Sequence, residues 1–567
     1  MKGFPAYAWL KGYNKDLLIA DSIAAIIVTV MLIPQSLGYA MLAGVSPEVG
    51  LYASIIPLVA YALLGTSRTL SVGPVAVISL MTAVAVSDAV AQTGADYHEA
   101  AIVLALLSGC VLVVMGFLKF GFLANFLSHP VVSGFISASG ILIALSQLKH
   151  LLGISAHGDT LPSLLLSLSQ GMHALNLPTL AIGSFALILL IGCRRYLVRS
   201  LIAVGLSENA AGTISKAAPV LAILLTIVAT IIFDLESLGV AIVGEVPRGL
   251  PTLVFPTIEW PLVKALLPAA ILISVIGYVE SISVGRTLGA KRRQRVDANQ
   301  ELVGLGAANL ASALSSGFPV TGGFSRSVVN FDAGAQTGAA SILTALGIAL
   351  AALFLTPILY FLPKATLGAT IIVAVMSLVD LGLVKKAWNY SRRDALALLG
   401  TLVGTLLVGV EAGVIIGVAL SVILHLYHTS KPHTAIVGEV PGTEHFRNVD
   451  RHDVITDPKI CSIRIDESLY FPNASYLEDL VYGAIAKNPD IKHIVLMCSA
   501  VNSIDMSALE ALEMINSRLS ELGLKLHLSE VKGPIMDALK RTDFLAHLSG
   551  SIYLSQHQAF NELRDDH

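Results

Sequence analysis

The segment "GFPVTGGFSRSVVN", residues 317–330, carries a basic side chain, three hydroxyl groups, a proline and three glycines between two long apolar stretches. Arg326, flanked by Ser325 and Ser327, offers a positive charge and hydrogen-bond donors, which suit an anion. Charges inside a membrane are costly and usually functional. The alternative is that the glycines only allow close helix packing and that a buried carboxylate neutralises Arg326.

A second segment, "LSVGPVAVIS" at residues 70–79, has the same order of helix breakers followed by apolar helix formers. Each segment therefore predicts a half-helix that begins near the middle of the bilayer, with Pro74 close to the first helix start. Helix N-termini carry unpaired N–H groups and a partial positive charge of roughly +0.5. Two such ends facing each other predict an anion site that needs no metal.

Two further polar positions lie in apolar stretches. Gln35 and Tyr39 follow Pro34 in "IPQSLGYAML" and are four residues apart, so they share one helix face. This face suits either a substrate pocket or a hydrogen bond between helices. Glu280 lies in "VIGYVESISVG", where an ionised carboxylate is costly. It is a candidate proton carrier, or else a permanent ion-pair partner of Arg326 or Arg286.

The chain that positions these residues has a mean hydropathy of +0.76 and only 13% charged residues, which indicates a membrane protein. A bilayer-spanning helix needs about 20 apolar residues. Twelve full spans are predicted, at 19–45, 49–65, 100–118, 131–148, 180–193, 218–233, 262–285, 302–317, 339–362 and 367–379, with two more in 395–428, which is broken near Glu411.

The two short segments bring the count to fourteen, and they are the third and the tenth. Interrupted helices at corresponding places in two halves are typical of inverted-repeat transporters. We therefore predict an all-α membrane domain with seven spans in each half. With the N-terminus inside, the predicted inner loops hold the basic clusters at 194–199, 291–295 and 385–393, as the positive-inside rule requires.

The content of charged residues differs between two parts of the chain. Residues 1–430 carry 23 basic and 19 acidic side chains, whereas residues 431–567 carry 13 and 20, which predicts a soluble tail. We predict a cytoplasmic N-terminus at 1–16, a membrane domain at 17–430 and a cytoplasmic tail domain at 431–567. Neither net charge suggests a nucleic-acid partner. Four scattered cysteines without metal spacing give no indication of a metal site, and no cofactor is expected.

Residues 34–81 and 295–337 resemble the sulfate permease (SulP) family, with a STAS domain in the tail. The resemblance implies a core (gate) domain and a scaffold domain that move in an elevator-like mechanism, usually as a homodimer. It implies anion contacts from residues on three spans: Gln35, Tyr39, Val75, Ala76, Phe324, Ser325 and Arg326. In plant-type members, a glutamate matching Glu280 is linked to proton-coupled sulfate uptake.

Short apolar strands alternate with amphipathic helices in the tail, from 460–466 to 534–542, which predicts an α/β domain. Ser507 is predicted to cap the helix of 507–523. By resemblance it also matches the serine that is phosphorylated in bacterial anti-sigma-factor antagonists. We expect this domain to contribute dimer contacts, regulation or binding of a cytoplasmic protein.

The expected function is sulfate:proton symport across a cell membrane, such as a bacterial inner membrane, with both termini cytoplasmic. One alternative keeps the fold but carries bicarbonate or dicarboxylate with Na⁺ or H⁺, or exchanges anions for chloride. Another is a membrane-anchored anion sensor that signals through the STAS domain. An enzyme is not expected, because neither a GxxxxGK loop nor a nucleophile–base spacing is present.

Overall fold

The chain folds into two compact units, Met1–Leu420 and Ser421–His567. The computed structural model describes residues 5–125, 128–205, 211, 215, 218–245 and 249–565. Eight helical segments among these residues are long and apolar enough to cross a bilayer, and three shorter apolar helices accompany them, all of them before residue 431. The predicted total of fourteen spans remains a prediction.

The first unit is helical apart from two very short strands. Its helices are α1 (Pro5–Leu10), α2 (Lys15–Leu42), α3 (Pro47–Tyr52), α4 (Ile56–Leu64), α5 (Ala76–Thr93), α6 (Tyr97–Phe117), α7 (His129–Leu152), α8 (Leu161–Gly171), α9 (Leu177–Gly192), α10 (Val198–Ala203), α11 (Ala218–Ile232), α12 (Trp260–Lys291), α13 (Ala298–Leu314), α14 (Phe324–Asp332), α15 (Ala339–Phe354), α16 (Lys364–Met376), α17 (Gly382–Tyr390), α18 (Arg392–Leu407) and α19 (Val410–Ser430), the last of which continues into the second unit.

One helix break was predicted from the sequence, and another was not. Residues 395–428 are divided at Val408 and Gly409, just before Glu411, and Gly409 has a φ of +127°. The second predicted span is itself divided into α3 and α4. The tenth segment contains only the nine residues of α14, too few to cross a bilayer alone.

Small residues bring α6 and α13 close together. A Cβ on Gly306 would lie 2.6 Å from the Val113 side chain, and a Cβ on Gly109 would lie 2.8 Å from Leu310. Such contacts are typical of membrane helices, which associate through close packing rather than the hydrophobic effect. The packing fixes α13, and α13 leads directly into residues 315–323 before α14.

The two strands of the first unit are β1 (Val72–Gly73) and β2 (Thr321–Gly322). They pair antiparallel, with Val72 opposite Gly322 and Gly73 opposite Thr321. Each strand lies just before a helix, β1 before α5 and β2 before α14. The pairing therefore joins the two interrupted segments at the point where their helices begin.

The second unit is an α/β domain, as predicted. Its strands are β3 (Thr434–Glu439), β4 (Phe446–Asn448), β5 (Ile460–Ile465), β6 (His493–Met497), β7 (Lys525–Ser529) and β8 (Ile552–Tyr553), in the sheet order β4-β3-β5-β6-β7-β8. Its helices are α20 (Ala474–Lys487), α21 (Met506–Glu521), α22 (Gly533–Leu539), α23 (Phe544–His547) and α24 (Gln556–Asp565). β5 to β8 run parallel, whereas β3 is antiparallel to both of its neighbours.

Both faces of this sheet are covered. Ile494 and Leu496 of β6 belong to a buried cluster with residues of α20 and α21. Val495, which points to the opposite face, belongs to a second cluster with residues of α24. The alternation follows from the period of two in a strand. Strands β3, β4 and β8 and helices α23 and α24 were not predicted.

The predicted capping role of Ser507 is wrong. The helix α21 begins at Met506, and its N-cap is Asp505, whose carboxylate accepts a hydrogen bond from the Ala508 N–H at 2.9 Å. The other Asp505 oxygen accepts from the Phe471 N–H at 2.8 Å. Aspartate caps helices as well as serine does, and here Asp505 occupies the position that Ser507 was expected to hold. Ser507 lies within the first turn and is exposed.

Candidate anion-binding site

The starts of α5 and α14 meet at the β1–β2 pair. The residues before them, Val75 and Gly323, are extended, and neither provides a side-chain cap for its helix. The N–H groups of both first turns are therefore without a side-chain acceptor, which leaves them available to an anion. The predicted meeting of two helix N-termini is confirmed. The prediction of a half-helix fits α14, with nine residues, but not α5, whose 18 residues are enough to cross a bilayer.

Arg326 links the two interrupted segments. It is 2% exposed, and its Nη2 donates to the carbonyl oxygens of Gly73 at 2.8 Å and Thr321 at 3.1 Å. Its Nη1 is buried and has no hydrogen-bond partner among the described residues. Nη2 thus holds the two strands together, while the N–H groups of Nη1 remain available to a ligand.

The other predicted contact residues lie around the same point. Gln35 and Tyr39 on α2 are nearly buried, and Tyr39 is close enough to Arg326 to interact electrostatically. Val75 and Ala76 form the buried start of α5. Phe324 and Ser325, in contrast, are exposed, so this side of the site is open. The role of all these residues in anion binding remains a prediction.

Ser327 does not have the role that sequence analysis expected. Its Oγ donates to the Gly323 carbonyl at 2.6 Å and accepts from the Ser71 N–H at 3.0 Å. The hydroxyl proton is therefore committed to the turn that starts α14. Ser327 braces the two segments against each other, and Ser325 is left as the hydroxyl that can face a ligand.

Glu280 lies on α12 beside the same strand pair. The neighbouring Ser281 Oγ accepts from the Gly322 N–H at 2.8 Å, and Thr321 Oγ1 donates to the Gly277 carbonyl at 2.7 Å. These bonds fix α12 against β2. Glu280 interacts electrostatically with Arg326, but no salt bridge joins the two among the described residues. Its side chain borders a cavity of about 10 Å³ lined by Val131, Val132, Phe135, Ile136, Ile276, Val279 and Val414.

Comparison with known proteins identifies the family of this chain. The model of the sulfate permease family matches residues 18–401. The chain belongs to the sulfate permease family. Residues 451–559 match the STAS domain, which identifies the α/β unit. This sulfate permease is therefore a multi-pass membrane protein of an anion transporter family and not an enzyme.

Individual relatives agree with this assignment. Probable sulfate transporter 4.2 of Arabidopsis thaliana is 36% identical over 551 residues, with coverage of 95% of this chain and 80% of its own. The chloroplastic sulfate transporter 4.1 of the same plant is 35% identical over 540 residues, with coverage of 93% and 77%. The structure of the murine anion transporter Slc26a9 in its inward-facing state superposes with a TM-score of 0.87 at 24% identity, with coverage of 99% of this chain and 94% of that one. This last likeness concerns the fold.

Sequence analysis missed a buried carboxylate in this permease. Glu301 on α13 is 0% exposed. Its Oε1 accepts from the Thr66 N–H at 2.7 Å, the Thr66 hydroxyl at 2.6 Å and the Ser67 N–H at 3.1 Å, and its Oε2 accepts from the Tyr61 hydroxyl at 2.5 Å. Four donors satisfy the carboxylate without a cation. The signal in the sequence was weak, because Glu301 lies just before the predicted span 302–317 and not inside it.

Asp21 on α2 is a second anchor of this kind. It is 0% exposed and accepts from the Gln336 N–H at 2.7 Å and from the Thr337 hydroxyl at 2.6 Å. Glu301 thus holds the residues that precede β1, whereas Asp21 holds the residues that follow α14. Together the two carboxylates fix both flanks of the candidate site.

Proposed function

We propose that this sulfate permease is a secondary active transporter that brings sulfate into the cell together with protons. Sulfate would bind between the N-termini of α5 and α14, against the unused donor of Arg326. The observation that carries the proposal is the β1–β2 pair with the buried Arg326 bridging both strands. The names of the plant relatives favour sulfate as the anion.

Proton coupling follows from the position of Glu280. When Glu280 is ionised, its charge offsets that of Arg326 and weakens the attraction of the site for a divalent anion. When Glu280 is protonated, the positive charge of Arg326 and of the two helix ends acts on sulfate unopposed. Proton and sulfate therefore favour each other's binding, which is the linkage that a symporter requires.

We further propose the larger-scale arrangement. Residues 17–430 would form fourteen spans in a seven-plus-seven inverted repeat, and 431–567 would form a cytoplasmic STAS domain that serves dimer contact or binding of a cytoplasmic protein. Because bonds from Arg326 and Ser281 tie α5, α12 and α14 together through the strands, the site would move as one body in an elevator-like step of a homodimer. Both termini would face the cytoplasm, and exposed Ser507 is a candidate phosphorylation site.

The test is uptake of labelled sulfate into proteoliposomes with and without an inward proton gradient. Wild type should take up more sulfate with the gradient. Glu280→Gln, which mimics the protonated form, should bind sulfate but no longer respond to the gradient. Glu259→Gln, at an exposed position, is the matched control and should behave as wild type. If wild-type uptake ignores the gradient, or follows a bicarbonate or chloride gradient instead, proton symport is wrong.

A second experiment separates a transporter from a sensor. Deletion of residues 431–567 should leave sulfate binding by the membrane unit measurable as sulfate-dependent thermal stabilisation. A transporter should also retain part of its uptake. A protein that binds sulfate but shows no uptake, with or without the tail, would instead be an anion sensor.

A further inference from the structure

A polar cavity lies on the side of the first unit where α1, the turn before β1 and the end of α12 meet. It is separate from the anion site and from the small, mainly apolar cavity beside Glu280. It has a volume of about 380 Å³, and its lining includes Trp9, Arg68, Arg293, Gln294 and Arg295. At about 30 Å³ per water molecule, this volume corresponds to about a dozen waters. It is much larger than the small cavity beside Glu280 and is large enough for a polar headgroup.

The guanidinium groups of the three arginines of this cavity make no hydrogen bond or ion pair with other described residues. Arg68 is half-buried, while Arg293 and Arg295 are exposed. The neighbouring Arg292 differs, because it donates to the carbonyls of Phe331 and Ala335 and lies over the Phe331 ring.

The nearby carboxylates of Asp297 and Glu301 form no ion pair with these arginines among the described residues. Asp297 accepts from the Asn299 and Gln300 N–H groups at 3.0 Å and caps α13. Glu301 is occupied by the four donors described above. The described lining therefore combines three guanidinium groups with no carboxylate.

The two loops that carry the arginines are fixed relative to each other. The Asp297 N–H donates to Thr66 Oγ1 at 3.1 Å, and Gln300 Nε2 donates to the Leu64 carbonyl at 2.8 Å. Thr66 is in turn held by Glu301. When the loops that carry the cations are already fixed, less conformational entropy is lost on ligand binding than when the loops are free to move.

We propose that this cavity binds a phosphate group, presented either by the headgroup of an anionic phospholipid or by a soluble phosphate. Arginine is suited to phosphate because its planar fork donates two hydrogen bonds at once. A headgroup is the favoured source, since α1 beside the cavity exposes 62% of Tyr7 and 53% of Leu10. Exposed apolar side chains beside a basic cluster are typical of a membrane interface.

The experiment uses the full-length protein purified in a sulfate-free buffer. Thermal unfolding is measured with added phosphatidylglycerol, with phosphatidylcholine and with inorganic phosphate, and native mass spectrometry counts the retained lipids. The variant is Arg293→Gln with Arg295→Gln, two exposed positions whose loss should not disturb folding. The control is Arg392→Gln with Arg393→Gln, exposed arginines of α18 that lie outside the cavity.

Wild type and control should be stabilised by phosphatidylglycerol more than by phosphatidylcholine. The variant should bind phosphatidylglycerol about thirtyfold more weakly, as the loss of two surface cations implies. Stabilisation by inorganic phosphate alone, lost in the variant, would support the site with a soluble source. The single variants Arg293→Gln and Arg295→Gln repeat the test should the double variant fail to fold. Equal binding by wild type and variant, or no binding of either ligand by wild type, would overturn the proposal. The readout is binding, so a failure of sulfate transport leaves it unaffected.

Discussion

Arg326 donates from Nη2 to the carbonyl oxygen of Gly73 at 2.8 Å, although 253 residues separate the two positions in the chain. The bond crosses between the two interrupted segments and lies beside the starts of α5 and α14. One side chain thus supplies positive charge to the site and holds its two halves together. Substitutions can separate these two contributions.

Arg326→Lys should retain the charge but lose the planar group that reaches both Gly73 and Thr321. We expect sulfate affinity to fall about tenfold, because the site loosens and the two buried carbonyls lose a donor. Sulfate-dependent shifts in unfolding temperature measure the affinity. Arg393→Lys, at an exposed position, is the control. Wild-type affinity in Arg326→Lys would show that charge alone is sufficient.

Gly73→Ala tests the close approach of the guanidinium to the backbone. A Cβ on Gly73 would lie 2.8 Å from Arg326 Nη1, so the guanidinium, held by two carbonyls, must shift away from its position. We expect weaker sulfate binding and slower uptake. Gly192→Ala is the matched control, because a Cβ at that position meets nothing within 4 Å. Equal losses in the two variants would point to a general effect of the added methyl group.

Glu301→Gln replaces an acceptor of four hydrogen bonds with a group that must present an N–H toward some of the same donors. We expect a loss of about 2 kcal/mol in the free energy of unfolding, because buried donors lose their acceptor. Tyr61→Phe removes only one donor and should cost about 1 kcal/mol. Unfolding in detergent measures both. An unchanged Glu301→Gln protein would mean that the carboxylate is not needed to hold residues 66 and 67.

The STAS domain should lose stability in mild acid through His527. The ring accepts from the Ser551 N–H at 3.0 Å on Nδ1 and lies 3.0 Å from His493 through Nε2, so the neutral form fits the site. Burial, with the nearby His493 and Lys525, lowers the pKa of His527 to about 4. The unfolded pKa is about 6.5. The stabilisation is thus complete above the unfolded value and is lost as the pH falls toward the folded value.

About 1 kcal/mol should be lost between neutral pH and about pH 5.5. Chemical unfolding of residues 421–567 at the two pH values measures it. His527→Asn keeps an acceptor for Ser551 and should show a smaller loss, whereas the exposed His445→Asn should follow wild type. A wild-type domain that is equally stable at both pH values would contradict the lowered pKa of His527.

The helix starts at the site were predictable because glycine and proline interrupt the chain at positions where the apolar pattern alone would predict continuous helix. The strand pair between them was not predictable, because a strand of two residues is too short to show the alternation of side chains that marks a strand in sequence. The hydrogen-bond partners of the site residues could not be predicted from the sequence either. Ser325 and Ser327 look equivalent in sequence, yet only Ser327 is committed to a carbonyl in its own turn.

The caps and anchors illustrate the same limit. Asp505 and Ser507 are both competent caps two residues apart, and only the structure shows that Asp505 accepts from the N–H groups of both Ala508 and Phe471. Asp21 could have been singled out as a carboxylate within a predicted span, whereas Glu301 lies just before one. Their partners could not have been predicted, because they lie more than 200 residues away in sequence.

The most direct test is to locate a bound anion by the anomalous scattering of selenate, a heavier analogue of sulfate, in crystals of the full-length protein. The account predicts one strong peak within hydrogen-bonding distance of Arg326 Nη1 and of the first N–H groups of α5 and α14. A peak elsewhere in the membrane unit, with this point empty at saturating selenate, would contradict it.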